Sequence, residues 1–477
     1  MPNHYPEGAL EEPPPPSARE LLEELSNAGV SYSVDTTDRA EHARDWWPLS
    51  IPDVARGHVA NWPGVVVHAH STLDVSSTLR IAKQLHVAVT AQGGRSGVVG
   101  GAVPSSGAIA LDLTGLNEVI ALDALSCTVR VQAGVFGPDL EQFVRKMGFT
   151  VGHFPQSFDL ATVGGWIACR GAGQFSNRYG KIEDMVRALT VVLASGQVIT
   201  LGGRGPRQAI GPDLLQLFIG SEGTLGVITE ATLLVHPLPP REQRGAFLFA
   251  EFEEGMAACR RIIQRDARPA VLRLYDETES QRHFDVKGCA LIVLDEGDAH
   301  FVEATFQVVI AECVHATSLD ASYVERWLEH RNDVGALAPL WERGLVVDTI
   351  EVAGAWAILD SLRLRVCEAL RAREGMMSVS VHQSHAYLDG ACLYFTFVGQ
   401  PTGDATTFYR GSWDAAIDEV MLVGGAISHH HGIGRNRARF VANALGDAYS
   451  VLEGVKSQLD PTNILNPGVL GLGGDPW

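Results

Sequence analysis

Apolar and polar positions change period several times along this chain. Glu11-Glu12-Pro13-Pro14-Pro15-Pro16 predicts an extended or disordered lead over residues 1–16. Ser17-Ala18-Arg19-Glu20 then reads as a capping box before Leu21, Leu22 and Leu25. A strand over 65–68, a helix with Val75, Leu79, Ala82 and Leu85 on one face, and a strand over 87–91 give a β-α-β start. Strands are predicted over 109–113, 119–122 and 127–133, with a helix over 138–147. Residues 186–193 and 198–201, joined by Ser195-Gly196, read as a hairpin, and 227–235 as a further strand. The rhythm breaks at Pro237, Pro239 and Pro240, a predicted domain boundary. Beyond it, strand-like pieces (248–252, 290–294, 392–398) alternate with helical ones (256–264, 355–372). The expected class is α+β: residues 17–240 as one domain, 241–420 as a second, and 421–477 returning to the first.

A chain of 477 residues exceeds one ordinary core, so two domains or three are expected. The formal net charge of -19 argues against nucleic acid, whose phosphates need a basic surface. It also disfavours attraction to anionic membranes. Seven cysteines, an odd number without a C-x-x-C pair, fit a reducing compartment rather than a disulfide framework. No signal peptide and no apolar run long enough for a bilayer is legible, and cytoplasm is the expected location.

Two segments carry cofactor chemistry. Gln92-Gly93-Gly94-Arg95-Ser96-Gly97 follows a strand and can turn several backbone N–H groups toward a pyrophosphate. It fits neither G-x-G-x-x-G nor the Gly-Lys-Ser/Thr phosphate loop. Ser221-Glu222-Gly223-Thr224-Leu225-Gly226-Val227-Ile228-Thr229-Glu230 combines small residues with a β-branched exit, suiting a loop pressed on a flat ligand before a strand. Together they point to a flavin site.

Further stretches strengthen that reading: Gly152-His153-Phe154-Pro155-Gln156-Ser157-Phe158, Thr162-Val163-Gly164-Gly165-Trp166, 176–184, 220–231 and Ser428-His429-His430-His431-Gly432. On these residues the chain resembles the vanillyl-alcohol-oxidase superfamily of flavoproteins with a PCMH-type FAD-binding domain. Within it, the chain is similar to the alkylglycerone-phosphate synthase branch. The resemblance implies a two-subdomain FAD-binding domain and an α+β cap domain with an antiparallel sheet. It implies FAD contacts from Thr90, Ala91, Gln92, Gly93, Gly94, Arg95 and Ser96. It adds Pro155, Gln156, Ser157, Phe158, Asp159, Leu160 and Ala161, then Ala168, Cys169, Arg170 and Gly171. The flavin itself would be passed by Glu222, Gly223, Thr224, Leu225, Gly226, Val227 and Ile228. Residues 461–468 resemble the segment that closes such domains. The 92–101 loop holds no histidine, so non-covalent FAD is expected. Arg95 departs from the family pattern and is expected to touch phosphate or to alter the isoalloxazine surroundings.

The second half separates two branches. Related 2-hydroxy-acid dehydrogenases hold a divalent metal with two histidines and a glutamate. Here Leu393 or Tyr394 stands at one of those ligand positions and His430 at the glutamate position, so no metal is expected. His385 and His430 without a carboxylate could in principle take zinc, but three successive histidines in an extended segment cannot all face one ion, because side chains alternate. The same residues match the synthase branch. That resemblance implies Tyr394 as acid/base, His429, His430 and His431 as active-site histidines, and Arg331 as the receiver of a departing carboxylate. Arg273 also matches a family arginine, with a structural role expected. The implied reaction exchanges an acyl for an alkyl group on a dihydroxyacetone-phosphate-like substrate through a flavin N5 adduct. A tyrosine base needs a pKa lowered from about 10, expected here from His430, His431 and Arg331. The alternative is an FAD-dependent oxidase or dehydrogenase of a hydroxy acid or alcohol; a flavin-binding protein without chemistry is a third reading. The expected partner is a small or lipid-like substrate, with peripheral membrane contact and a homodimer left open.

Overall fold

The computed structural model describes Tyr5, residues 10–335 and residues 338–474. Most of the lead before Leu10 lies outside the described residues. The rest is extended and tied down: the Glu11 carboxylate accepts from Val59 N–H and Trp62 Nε1–H, and Arg39 donates to the Pro14 carbonyl.

The helix Arg19–Asn27 buries Leu21 and Leu25, as its spacing predicts. Its cap differs from expectation. Ala18 is the N-cap, the Ser17 hydroxyl has no partner, and the Ser17 N–H donates to the Gly64 carbonyl. The helix starts one residue later than the capping box requires, which leaves Ser17 one position before the N-cap.

Two small sheets build the first half. Strands Tyr32–Ser33, Val65–His68, Ile109–Asp112 and Val89–Gln92 lie side by side in that order, the last three parallel. Val65, Val67, Ile109 and Leu111 pack there against Val75, Leu79 and Ala82 of the helix Thr72–Leu85. The second sheet is antiparallel, in the order Val119–Asp123, Thr128–Gln132, Val227–Leu234, Val186–Val192, Val198–Gly202, and contains the expected hairpin.

The other half is one antiparallel sheet of seven strands: Thr317–Leu319, Arg241–Phe249, Cys289–Gly297, Val271–Tyr275, Met376–Ala386, Gly390–Gly399 and Val346–Ala355. Helices Phe252–Gln264, Trp356–Arg371 and Ala405–Leu422 cover one face and close the largest apolar core. The strand expected over 248–252 is Arg241–Phe249 instead, and Phe252 already opens a helix. The first residues of that strand are charged and solvent-facing, which hides it from an apolar pattern.

Buried polar contacts join the halves. Arg178 Nη1 meets Asp295 Oδ1 at 2.8 Å, and Tyr179 Oη donates to Glu296 at 2.6 Å. Among the described residues no helix is long and apolar enough to cross a membrane.

Candidate active site

The expected cofactor segments converge on one another. Strand Val89–Gln92 delivers the glycine turn to the stretch 155–162. A Cβ on Gly94 would strike the Leu160 carbonyl, and one on Gly93 the Thr162 hydroxyl. These glycines are therefore required by backbone packing between two loops, before any ligand is considered. The Glu222 N–H donates to the Ala168 carbonyl at 2.9 Å, joining the third and fourth segments. Thr224, Leu225, Val227 and Ile228 are buried, and a Cβ on Gly226 would lie 2.6 Å from Val191. Residues 461–468 complete the cluster: Asn466 accepts from Thr90 Oγ1–H and donates to the Glu222 carbonyl at 2.8 Å.

Glu222 reaches further. Its carboxylate accepts the N–H groups of Ile433 at 2.6 Å and Gly434 at 2.8 Å, just after the histidine triplet. Burial pushes its pKa up to about 7, against the pull of those two N–H groups. Around the same loops several buried polar atoms have no protein partner: both ring nitrogens of His153, Trp166 Nε1 and Gln92 Oε1. Folded proteins leave few such atoms unpaired, and a polar ligand seated there fits them. Arg95 sits at φ +53° and is half-buried; burial lowers its pKa, offset by the charges of Asp112, Glu41 and Asp38.

The catalytic candidates gather on one face of the seven-stranded sheet. Along Gly390–Gly399, Leu393, Phe395 and Phe397 fill the core, while Cys392, Tyr394 and Thr396 point the other way, as alternation requires. Tyr394 pairs in register with Glu351 on one side and His382 on the other. Its Oη lies 3.0 Å from His430 Nε2 and 3.1 Å from His385 Nε2.

Glu351 organises the triplet. This wholly buried carboxylate takes the Ser428 hydroxyl (2.8 Å), the N–H of His429 (2.5 Å), the N–H of His431 (3.0 Å) and Arg437 Nη1 (2.9 Å). Burial alone would raise its pKa, but the charge of Arg437 leads the effects that hold it well below the usual carboxylate range. The triplet is therefore not extended, as its alternation argument assumed. It bends around Glu351, with His430 5.5 Å and His431 6.1 Å from the Tyr394 ring centre.

The electrostatics overturn one expectation. Burial pushes His429 and His430 down to about 3 and His431 to about 4, so all three are neutral at pH 7. Burial also drives the Tyr394 pKa well above 10. The cation on its ring is Arg273, 5.6 Å from the centre, whose Nη2 donates to His382 Nε2 at 2.6 Å. Arg273 thus stands at the site rather than in a purely structural place. Arg331 does not reach Tyr394. It donates to Gln174 Oε1 at 2.7 Å and lies over Phe154, Phe175 and Trp327. No carboxylate among the described residues pairs with it. The segment Gln174–Ser176 links the two groups, since Gln174 holds Arg331 and Ser176 Oγ lies 2.7 Å from His385 Nδ1.

Glu351 was missing from the sequence reading. A glutamate between Ile350 and Val352 in a buried strand was the available signal, because charged residues are rarely buried unpaired. Its presence also corrects the premise that no carboxylate accompanies the histidines: Glu351, Cys392, His429 and His430 bring ligand atoms within 4.8 Å of one another.

Residues 63–202 match the FAD binding domain family, and residues 238–470 match the C-terminal domain of FAD linked oxidases. The chain is 31% identical to an uncharacterised FAD-linked oxidoreductase of Escherichia coli, over 88% of this chain and 91% of that one. It is 30% identical to alkyldihydroxyacetonephosphate synthase of Dictyostelium discoideum, over 88% of this chain and 75% of the relative. A solved alkyldihydroxyacetonephosphate synthase superposes with a TM-score of 0.81 at 27% identity, covering 96% of this chain and 87% of that one. The chain therefore belongs to the FAD-linked oxidase family of flavoproteins with a PCMH-type FAD-binding domain, and is an FAD-dependent enzyme.

Proposed function

We propose that this enzyme exchanges an acyl for an alkyl group on a dihydroxyacetone-phosphate-like substrate, with Tyr394 as its acid/base. The observation that carries the reading is the Tyr394 hydroxyl, held between two neutral imidazoles. Bound FAD supplies an electron-accepting ring with an electrophilic nitrogen. The chain's own groups handle the proton and the leaving group. Tyr394 is a hydroxyl at neutral pH, so it takes a proton from the carbon beside the ketone only while passing its own to a histidine. His430 is that acceptor, at 3.0 Å. Arg331, a half-buried guanidinium with no carboxylate among the described residues at ion-pair distance, is suited to receive the departing fatty-acid carboxylate as a bidentate pair. His429 and His431 act through the conformation that Glu351 gives the triplet.

FAD is held without a covalent bond, by 90–96, 155–161, 168–171 and 222–228. This reading gives metal no part: the Glu351 carboxylate is engaged by four donors, three of them on Oε1 and the His429 N–H on Oε2. The substrate is small or lipid-like, and the seven unpaired thiols suit the cytoplasm.

The test is anaerobic mixing. Acyl-dihydroxyacetone phosphate should bleach the flavin absorbance and release fatty acid without leaving flavin that oxygen reoxidises. Two-electron reduction by hydroxy acids or alcohols, with no response to the acyl substrate, would replace this reading with that of an FAD-dependent oxidoreductase.

A further inference from the structure

Three rings stand in a row across neighbouring strands. Tyr275 pairs in register with His382, and His382 with Tyr394. The His382 ring lies 5.4 Å from that of Tyr275 and 4.4 Å from that of Tyr394, nearly parallel to the latter at 18°. Arg273, two residues before Tyr275, shares its face of the strand and lies over both outer rings, 5.3 Å from Tyr275 and 5.6 Å from Tyr394. Its Nη2 meets His382 Nε2 at 2.6 Å, and its Nε has no hydrogen-bond partner. On the other edge of the imidazole, His382 Nδ1 lies 2.8 Å from Glu279 Oε2. Glu279 is buried, and its second oxygen takes the Ser380 hydroxyl at 3.1 Å. Its helix, Glu277–Phe284, is pinned to the strand of His382 by Asp276, whose carboxylate accepts the N–H groups of Glu279 and Val381.

The direction of these contacts is fixed. A guanidinium only donates, so His382 Nε2 is the accepting nitrogen. A neutral imidazole then carries its proton on Nδ1 and gives it to Glu279. A second proton on Nε2 would face an N–H of the guanidinium across 2.6 Å, donor against donor and cation against cation. Burial, and next the charge of Arg273, accordingly lower the His382 pKa to about 4. No carboxylate among the described residues lies at ion-pair distance from Arg273; Glu279 makes its contact with His382 instead. A carboxylate in place of the imidazole would pair with Arg273 and cancel its charge, whereas the neutral ring holds the guanidinium and leaves the charge intact.

We propose that His382 is a positioning residue: oriented by Glu279, it holds the Arg273 guanidinium across the Tyr275–His382–Tyr394 row as a cation without a counter-carboxylate. What that cation does for the reaction rests on Tyr394 as the acid/base; the hold on Arg273 does not depend on that reading. As Tyr394 gives its proton to His430, negative charge grows in its ring, and the guanidinium over that ring is attracted more strongly than before. The gain appears only while the proton is in transit, so it speeds the step rather than tightening binding.

The test uses two amides that replace one ring nitrogen each. In His382→Gln the amide reaches the place of Nε2 and still accepts from Arg273; in His382→Asn it reaches only the place of Nδ1 and serves Glu279 alone. Nuclear magnetic resonance on the FAD-loaded protein, with nitrogen-labelled histidine and arginine, reads the hold without substrate. The Arg273 signals are identified by their loss in Arg273→Lys. In wild type, His382 should carry its proton on Nδ1 alone, and Arg273 should give separate Nη signals, because a held guanidinium does not rotate. His382→Gln should keep those signals apart and His382→Asn should merge them. Flavin content and circular dichroism check the fold. A wild-type His382 protonated on Nε2 would overturn the proposal without any variant. So would Arg273 signals that stay apart in His382→Asn, or that merge in both variants. On acyl-dihydroxyacetone phosphate, kcat of His382→Asn should lie at least about tenfold below that of His382→Gln, with little difference in KM. Equal kcat with the two arginine responses intact would count against Tyr394 as the proton carrier and leave the hold on Arg273 standing.

Discussion

The Arg437 guanidinium and the Glu351 carboxylate meet at 2.9 Å with both side chains wholly buried, directly beneath the histidine triplet. Removing one charge from such a pair leaves the other unpaired in a low dielectric. Glu351→Gln should therefore destabilise the protein by about 3–5 kcal/mol. Because the same oxygens hold the N–H groups of His429 and His431, the variant should also lose activity. Urea unfolding of wild type and variant, with turnover beside it, checks both. A change in midpoint within error would show that the pair does not organise the triplet.

The neutral histidines tie stability to pH. Burial lowers His431 to about 4 from an unfolded value near 6.5. Between those values the unfolded chain binds the proton and the folded chain does not, so stability falls as pH falls, by about 1.4 kcal/mol per unit for each such group. Glu222 and Asp45, raised by burial to about 7, work in the opposite direction. The informative quantity is therefore a difference. His431→Asn should lose less stability than wild type between pH 6.5 and 4.5. Equal losses would mean that His431 is not held neutral.

Gly94 packs directly against the Leu160 carbonyl. Gly94→Ala should separate the glycine turn from the 155–161 stretch and lower FAD content, read as the ratio of flavin to protein absorbance. Full occupancy in a folded variant would remove that contact from the cofactor site.

Acid precipitation should release all the flavin into the supernatant, since no histidine stands in the 92–101 loop. Exhaustive chelation should leave activity unchanged, because the Glu351 oxygens are engaged by four donors. Flavin retained on the polypeptide, or activity restored by zinc after chelation, would contradict these two points respectively.

Local chemistry made much of this site legible. Alternation alone set Tyr394 opposite Leu393, Phe395 and Phe397, and the glycine runs marked the turns that meet 155–162 and 168. What the sequence hid was long-range. Glu351 reaches the triplet from a strand nearly eighty positions earlier, and its burial could not be told from a lone glutamate. His385 faces Tyr394 through a register shift that no periodic pattern carries. The charge state of the histidines was misread because it depends on burial, which the residues alone do not report. The first helix starts from Ala18 rather than Ser17, an offset of one residue that local pattern does not carry.

The central claim is that the Tyr394 hydroxyl moves the substrate proton, and Tyr394→Phe tests it most directly. The substitution keeps the ring between His382 and His430 and removes only the oxygen shared by His385 and His430. The account predicts normal FAD content and folding, with turnover lower by at least roughly 10²-fold, the low end for losing a positioned acid/base. Turnover above about a tenth of wild type, well short of that expected loss, would contradict it.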